Sequence, residues 1–277
     1  MRQLLSLLAL SACASVFSGP AAAQASPQAA PEVTLSRLDC GTPILNDVSQ
    51  RFTDTYAHKD LKVLFTFSCY LIKRGDEYLL WDTGHAMTAG AVAPKVSIVD
   101  QLAKGNVKPE QIKFVGISHY HADHTGQVAS FPGSMLLIGK GDWDGINATP
   151  PAPGANVAPF ANWRNGGAGK MEAVVGDKDV FGDGSAVIIN TPGHTPGHHS
   201  LLVRLKDMGA VLISGDLTHF HENYETNGVP AFNHHRGDTL ASLDRFKKAA
   251  ANLKATVIIQ HDARDVGKLP AFPAAAK

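Results

Sequence analysis

The sequence predicts a layered α/β domain, and three observations lead to it. Five short aliphatic runs, each of strand length, end at a histidine or aspartate or beside one. One amphipathic helix near the C-terminus carries a single apolar stripe. No linker or compositional break divides the chain beyond residue 25, and about 250 residues are enough for one large, well-buried domain.

In chain order, Met1-Arg2-Gln3 opens a positively charged start, followed by an apolar stretch over 4–17 that is too short to span a bilayer. Small residues at 21–23 and 23–25 give two A-x-A sites, so residues 1–25 are expected to be a signal peptide and 26–277 a single domain. The expected destination is the periplasm or the medium. Leu10-Ser11-Ala12-Cys13 also has the form of a lipobox, which makes a lipid anchor on Cys13 the alternative. Beyond this leader no membrane span is predicted.

The run 78–81 leads into Asp82-Thr83-Gly84, and 113–118 leads straight into His119. Helical stretches are predicted at 97–102, 109–112 and 142–146. Between 148 and 169 the chain is rich in Pro, Gly, Asn and Ala, with Phe160 and Trp163 as isolated aromatics; such a connection is either a cover for a pocket or an ordinary surface loop. The run 186–190 leads into Thr191-Pro192-Gly193-His194, 210–214 into Gly215-Asp216, and 256–260 into His261-Asp262. Between the last two lies a helix over 238–253, with Leu240, Leu243, Phe246, Ala250 and Leu253 on one face and Asp238 as its expected cap. A site assembled at strand ends is what this pattern implies.

The 25 basic and 25 acidic residues cancel, with no long run of either sign. That speaks against a nucleic-acid groove or an anionic membrane surface and favours a small, mostly uncharged ligand. Cys40 and Cys69 are expected as two buried thiols packed as small hydrophobes, with a disulfide as the alternative that an oxidising compartment would permit.

Chemistry concentrates in His119-Tyr120-His121-Ala122-Asp123-His124. Imidazole and carboxylate suit zinc and its first-row neighbours, and three histidines with one carboxylate exceed what one tetrahedral ion uses. In extended chain, side chains two apart point the same way, so His119 and His121 can meet on one ion while Asp123 and His124 serve a second. His194, Asp216 and His261 supply the remaining ligands. The other histidines, His58, His85, His198, His199, His221, His234 and His235, are expected as surface or supporting groups, with His199 and His235 as candidates for the substrate side.

Trp81-Asp82-Thr83-Gly84, the His119 to His124 stretch, Thr191-Pro192-Gly193-His194, Ser214-Gly215-Asp216 and Gln260-His261-Asp262, in that order, resemble the metallo-β-lactamase superfamily. The resemblance implies an αββα sandwich with His119, His121 and His194 on one metal, Asp123, His124 and His261 on the other, and Asp216 bridging. Asp82 would orient a ligating imidazole. It implies two divalent ions, zinc by default, and hydrolysis by a hydroxide shared between them, with Asp123 passing a proton to the leaving alkoxide.

The stretch from Asp216 through His219 to Glu225, with Phe67-Ser68-Cys69-Tyr70-Leu71, further resembles the N-acyl-homoserine lactonases, which implies an acyl lactone substrate and a possible homodimer. Where many of these lactonases carry a substrate-supporting tyrosine, this chain has His219, whose N–H can donate a similar hydrogen bond. Phe65, Phe67 and Met87 are either acyl-pocket walls or plain core. Phosphotriesterase-like or arylesterase activity is the nearest alternative. Asp216 weighs against a β-lactam hydrolase, and the absence of a cationic clamp against a glyoxalase-II-like thioesterase. A metal-dependent signal-binding protein without turnover is the non-enzyme alternative.

Overall fold

The computed structural model describes residues 31–277; the expectations for the leader 1–25 and for Cys13 lie outside the described residues. A long antiparallel hairpin of β1 (Val33–Asp47) and β2 (Lys62–Arg74) begins the first sheet, and β3 (Glu77–Trp81) adds antiparallel to β2. From there β4 (Ile112–Ile117), β5 (Met135–Gly139) and β6 (Met171–Val174) extend it in parallel, giving the order β1-β2-β3-β4-β5-β6. The second sheet contains β7 (Lys178–Asp179), β8 (Ala186–Asn190), β9 (His199–Leu205), β10 (Gly209–Ile213) and β11 (Thr256–Ile258), ordered β11-β10-β9-β8-β7. Only its β10/β11 pair is parallel.

The helices of the described residues are α1 (Val48–Arg51), α2 (Ile98–Ala103), α3 (Ala122–Thr125), α4 (Lys140–Asn147), α5 (His221–Thr226) and α6 (Arg236–Leu253). Parallel neighbours require a crossover, and α2 supplies it between β3 and β4 as α6 does between β10 and β11.

Three apolar layers define the stacking. Alternate residues of β10 face opposite ways: Val211 and Ile213 join Leu35, Ile72, Leu79 and Leu137 of the first sheet in the central layer, whereas Ala210 and Leu212 pack on Leu243, Phe246 and Ala250 of α6. On the far side of the first sheet Leu38, Leu71, Leu80, Val115 and Ile117 meet Ile98 and Leu102 of α2 and Ile146 of α4. The result is the αββα sandwich. Strands covered on both faces read as continuous apolar runs, as 113–118, 186–190 and 210–214 do. No helix among the described residues is long and apolar enough to cross a membrane.

Cys40 and Cys69 form a disulfide, correcting the expectation of two free thiols. The β1/β2 register sets Leu38 opposite Cys69, and the irregularity between Asp39 and Gly41 turns Cys40 toward the same partner, at a Cα separation of 5.8 Å. That separation lies within the ordinary disulfide range of about 4.4–6.8 Å.

Three of the four expected helices appear, as α2, α4 and α6, the last with a corrected cap. The α6 helix starts at Arg236, and the N-cap is His235, whose Nδ1 accepts the Asp238 backbone N–H at 3.1 Å. Asp238 therefore sits in the first turn, where its charge suits the helix dipole. At α2, Ser97 caps by accepting the Asp100 N–H. Residues 109–111 form a single 3-10 turn.

Candidate metal centre

Both sheets deliver donors to one edge of the sandwich. His119 follows β4, and the next residues turn into the short helix α3, which carries Asp123 and His124; His194 follows β8, Asp216 follows β10 and His261 lies just beyond β11. These seven residues form two groups, His119-His121-His194-Asp216 and Asp123-His124-Asp216-His261, whose donor atoms lie within 4.8 Å of one another in each group.

In the first group His119 Nε2, His121 Nδ1 and His194 Nε2 are 2.9, 3.0 and 3.2 Å apart. In the second, His124 Nε2 and His261 Nε2 are 3.1 Å apart. Tetrahedral zinc with bonds of about 2.0–2.1 Å would hold two nitrogens about 3.3 Å apart, so these spacings fit divalent ions. Asp216 divides its carboxylate between the groups. Oδ1 lies 2.8 Å from His261 Nε2 and 3.1 Å from His124 Nε2, while Oδ2 lies 3.3 Å from His194 Nε2. Oδ1 is buried with no hydrogen-bond partner among the described residues, as expected of an oxygen reserved for a cation.

Most of the converging imidazoles are aimed by a contact at the opposite ring nitrogen. His124 Nδ1 meets Asp82 Oδ2 at 2.8 Å, His194 Nδ1 meets Asn233 Oδ1 at 2.9 Å, and His261 Nδ1 meets the Thr66 carbonyl at 2.7 Å. His119 Nδ1 meets Ser118 Oγ at 3.1 Å. Such contacts place the N–H outward and the lone pair toward the centre. Asp82 is fully buried at a φ of 59°, a left-handed conformation that aspartate tolerates better than most residues. It also accepts from the Ser118 N–H and hydroxyl and from Gln260 Nε2, binding three loops to one carboxylate.

The electrostatics prepare the donors. Burial, reinforced by neighbouring imidazoles, holds His119 and His194 well below the usual histidine range and keeps their lone pairs available. Burial opposes charge on Asp216, yet His261, His124 and the surrounding rings outweigh it and keep the carboxylate ionised. His124 is the exception: burial opposes its charge, but Asp216, Asp123 and Asp82 raise its pKa well above the ordinary value, so an ion there would have to displace its proton. Two neutral imidazoles beside an ionised carboxylate make a donor set that a divalent ion would complete.

His198 is a supporting residue whose role the sequence left open. It is fully buried; Nδ1 donates to the Thr191 carbonyl at 2.8 Å, and Nε2 accepts the Asp216 backbone N–H at 2.9 Å. Gly215, at a φ of 55°, allows this approach, since a Cβ there would lie 2.6 Å from His198 Nε2. Burial drives the His198 pKa down to about 3. Folding thus favours the neutral ring: its stabilisation is complete above the ordinary histidine value of 6.5 and is lost as pH falls from there toward 3. A ¹⁵N NMR titration should show His198 neutral at pH 5, and a protonated ring there would contradict the assignment.

The remaining expectations divide. Phe65 and Phe67 line a cavity of about 540 Å³ above the donors, along with Ile44, Phe52, Val92 and Phe232, whereas Met87 is exposed and lies outside that lining. In the 148–169 segment, Pro153 and Gly154 form part of the wall, while Phe160 and Trp163 turn inward to the core. His199 is buried away from the cavity, its ring held by the Gly197 and Gly176 carbonyls, and His235 caps α6; neither lines the cavity, so both are supporting groups and the substrate-side alternative falls. His219 does line the cavity. Its Nε2 lies 3.1 Å from Asp216 Oδ2, and its Nδ1 is buried with no partner among the described residues.

Asp142 is the residue that sequence reading missed outright, appearing there only as a helix boundary. It is fully buried in α4; Oδ2 accepts from the Tyr120 N–H at 2.9 Å and Thr195 Oγ1 at 2.8 Å, and Oδ1 from the Gly197 N–H at 2.6 Å. It thereby joins the loop carrying His119 and His121 to the loop carrying His194.

A four-layer sandwich with a paired imidazole and carboxylate site at one edge defines a metalloprotein built for divalent ions. The chain belongs to the metallo-beta-lactamase superfamily, whose pattern it matches over residues 67–261. It is 32% identical over 172 residues to the N-acyl homoserine lactonase AttM of Rhizobium radiobacter, a match covering 59% of this chain and 63% of that protein. With the N-acyl homoserine lactonase of a Bacillus species it shares 27% identity over 222 residues, covering 74% and 84% of the two chains. The match thus spans just under two thirds of AttM. In fold it is similar to an N-acyl homoserine lactone hydrolase solved with N-hexanoyl-L-homoserine at its metal centre, with a TM-score of 0.74 and 22% identity over 89% of this chain and 99% of that one. AidC, a dizinc quorum-quenching lactonase, superimposes with a TM-score of 0.66 at 19% identity, covering 90% and 91%.

Proposed function

We propose that this protein is a metal-dependent hydrolase that opens the lactone ring of N-acyl homoserine lactones. The observation that carries the reading is the shared carboxylate: Asp216 joins two donor groups at the floor of a largely apolar cavity. The activity named for its lactonase relatives supports it. His119, His121 and His194 would hold one ion, Asp123, His124 and His261 the other, with Asp216 between them and zinc as the expected metal. When bound, such a pair supplies Lewis acidity, polarising an acyl carbonyl and acidifying water.

The chain's own residues do the rest. Phe52, Phe65, Phe67 and Val92 form the apolar wall for an acyl chain, each buried methylene contributing about 0.8 kcal/mol. Asp123 lines the cavity with its Oδ2 3.7 Å from His124 and His261. It takes the proton that the attacking water sheds and returns it to the ring oxygen as the carbon–oxygen bond breaks, leaving a carboxylic acid and an alcohol. His219, set against Asp216 and facing the cavity, orients the substrate. Export is part of the proposal, and the Cys40–Cys69 disulfide supports an oxidising compartment.

The test is proton release on ring opening of a short-chain and a long-chain N-acyl homoserine lactone by metal-loaded protein. Asp123→Ala should lower kcat by about 10² or more. His219→Ala should lower kcat/KM about tenfold, the loss of roughly one good hydrogen bond. Unchanged rates in either variant would remove that residue's role. No turnover by the metal-loaded parent would reject the lactone and redirect the search to phosphotriesters and aryl esters.

A further inference from the structure

His85 differs from the imidazoles around it. The ligand rings are held by contacts at their nitrogens, as His219 is at Nε2, but neither ring nitrogen of His85 has a hydrogen-bond partner among the described residues, and Nε2 is buried. The ring lines the same cavity as Asp123 and stands edge-on to Phe67 at 4.4 Å.

Its backbone, by contrast, is fixed from several sides. The His85 N–H donates to the Cys40 carbonyl at 3.0 Å, and its own carbonyl accepts from Gln127 Nε2 at 3.0 Å. Gly84, at a φ of 59°, accepts the Gly126 N–H at 2.6 Å, and a Cβ at Gly84 would stand 2.5 Å from the Cβ of disulfide-bonded Cys40. A buried polar atom left unpaired costs about 1–3 kcal/mol, so its retention on a rigid loop asks for a purpose. Burial lowers the His85 pKa against the pull of Asp123, which favours a neutral ring with one donor and one acceptor nitrogen.

We propose that His85 is a catalytic residue that donates a hydrogen bond to the ring oxygen of the substrate as that oxygen leaves. The assignment rests on the lactone reading above and extends it. Asp123, the proton donor proposed for the same oxygen, shares this cavity, and Phe67 packs edge-on against the His85 ring. Negative charge grows on the ring oxygen only as the bond breaks, so a donor aimed there acts on kcat more than on KM.

The experiment compares His85→Phe, which keeps a ring of similar shape, with His85→Gln, which keeps an N–H donor, in metal-loaded protein on short-chain and long-chain lactones. His85→Phe should lose at least about tenfold in kcat with KM little changed, equally for both chain lengths, and with metal content and Tm at parent values. His85→Gln should recover most of the loss. Parent kcat in His85→Phe, equal losses in both variants, a loss that grows with chain length, or loss of metal would each overturn the assignment. A parent protein without turnover would overturn the lactone reading and this role together, an outcome distinguished by the parent's own silence.

Discussion

Replacing Asp216 by alanine is expected to release metal from both groups and to lower kcat/KM by at least about 10³-fold. A bound ion's charge stabilisation is worth several kcal/mol, and each 1.36 kcal/mol is tenfold in rate. The size of the effect follows from how the carboxylate is divided: Oδ1 faces His124 and His261, Oδ2 faces His194 and His219, and among the described residues no other carboxylate serves both groups. Asp216→Asn separates the two halves of the role. Its amide nitrogen must face one group and repel the cation there, so roughly one ion per chain should remain. Elemental analysis beside steady-state kinetics measures both, and an alanine variant retaining two ions would refute the shared-carboxylate arrangement.

The second large effect is expected at a residue outside the cavity lining. Asp142→Ala should lower stability by about 3 kcal/mol, because it strips a buried carboxylate from the Tyr120 and Gly197 N–H groups and the Thr195 hydroxyl, and each buried donor left unpaired costs about 1–3 kcal/mol. In a domain of this size that corresponds to roughly 6–12 °C in Tm. The loops it joins carry His119, His121 and His194, so affinity for the first ion should weaken as well. Calorimetry at fixed free metal reports the Tm; a shift below about 2 °C would show that the clasp contributes little.

What the sequence made legible was what depends on neighbours along the chain. Strand runs buried on both faces, the alternation of His119 and His121, and the ligands waiting at strand ends are local patterns, and the structure gathers those seven residues at one edge. What escaped depends on residues distant in sequence. Asp142 gains its meaning from Tyr120, Thr195 and Gly197, none of them adjacent to it. The pairing of Cys40 with Cys69 needed the β1/β2 register and its irregularity. His198, His199 and His235 are identical in composition, yet one braces Asp216, one is locked among carbonyls and one caps a helix, differences set by packing alone. The α6 cap moved from Asp238 to His235 because the helix starts at Arg236, ahead of its apolar stripe, and the His235 ring nitrogen accepts the Asp238 N–H.

The two sheets contribute different members of the same donor groups: His119 and His121 come from beyond β4, and His194, Asp216 and His261 from beyond β8, β10 and β11. An ion held by both sheets binds the stacked form and not the separated one, so loading and folding share one equilibrium. Native stability then rises by RT ln(1 + [M]/Kd) with free ion, about 2.7 kcal/mol at a hundredfold excess over Kd. Free metal in the compartment where the chain folds would therefore add to native stability, and a chelator is expected to lower Tm.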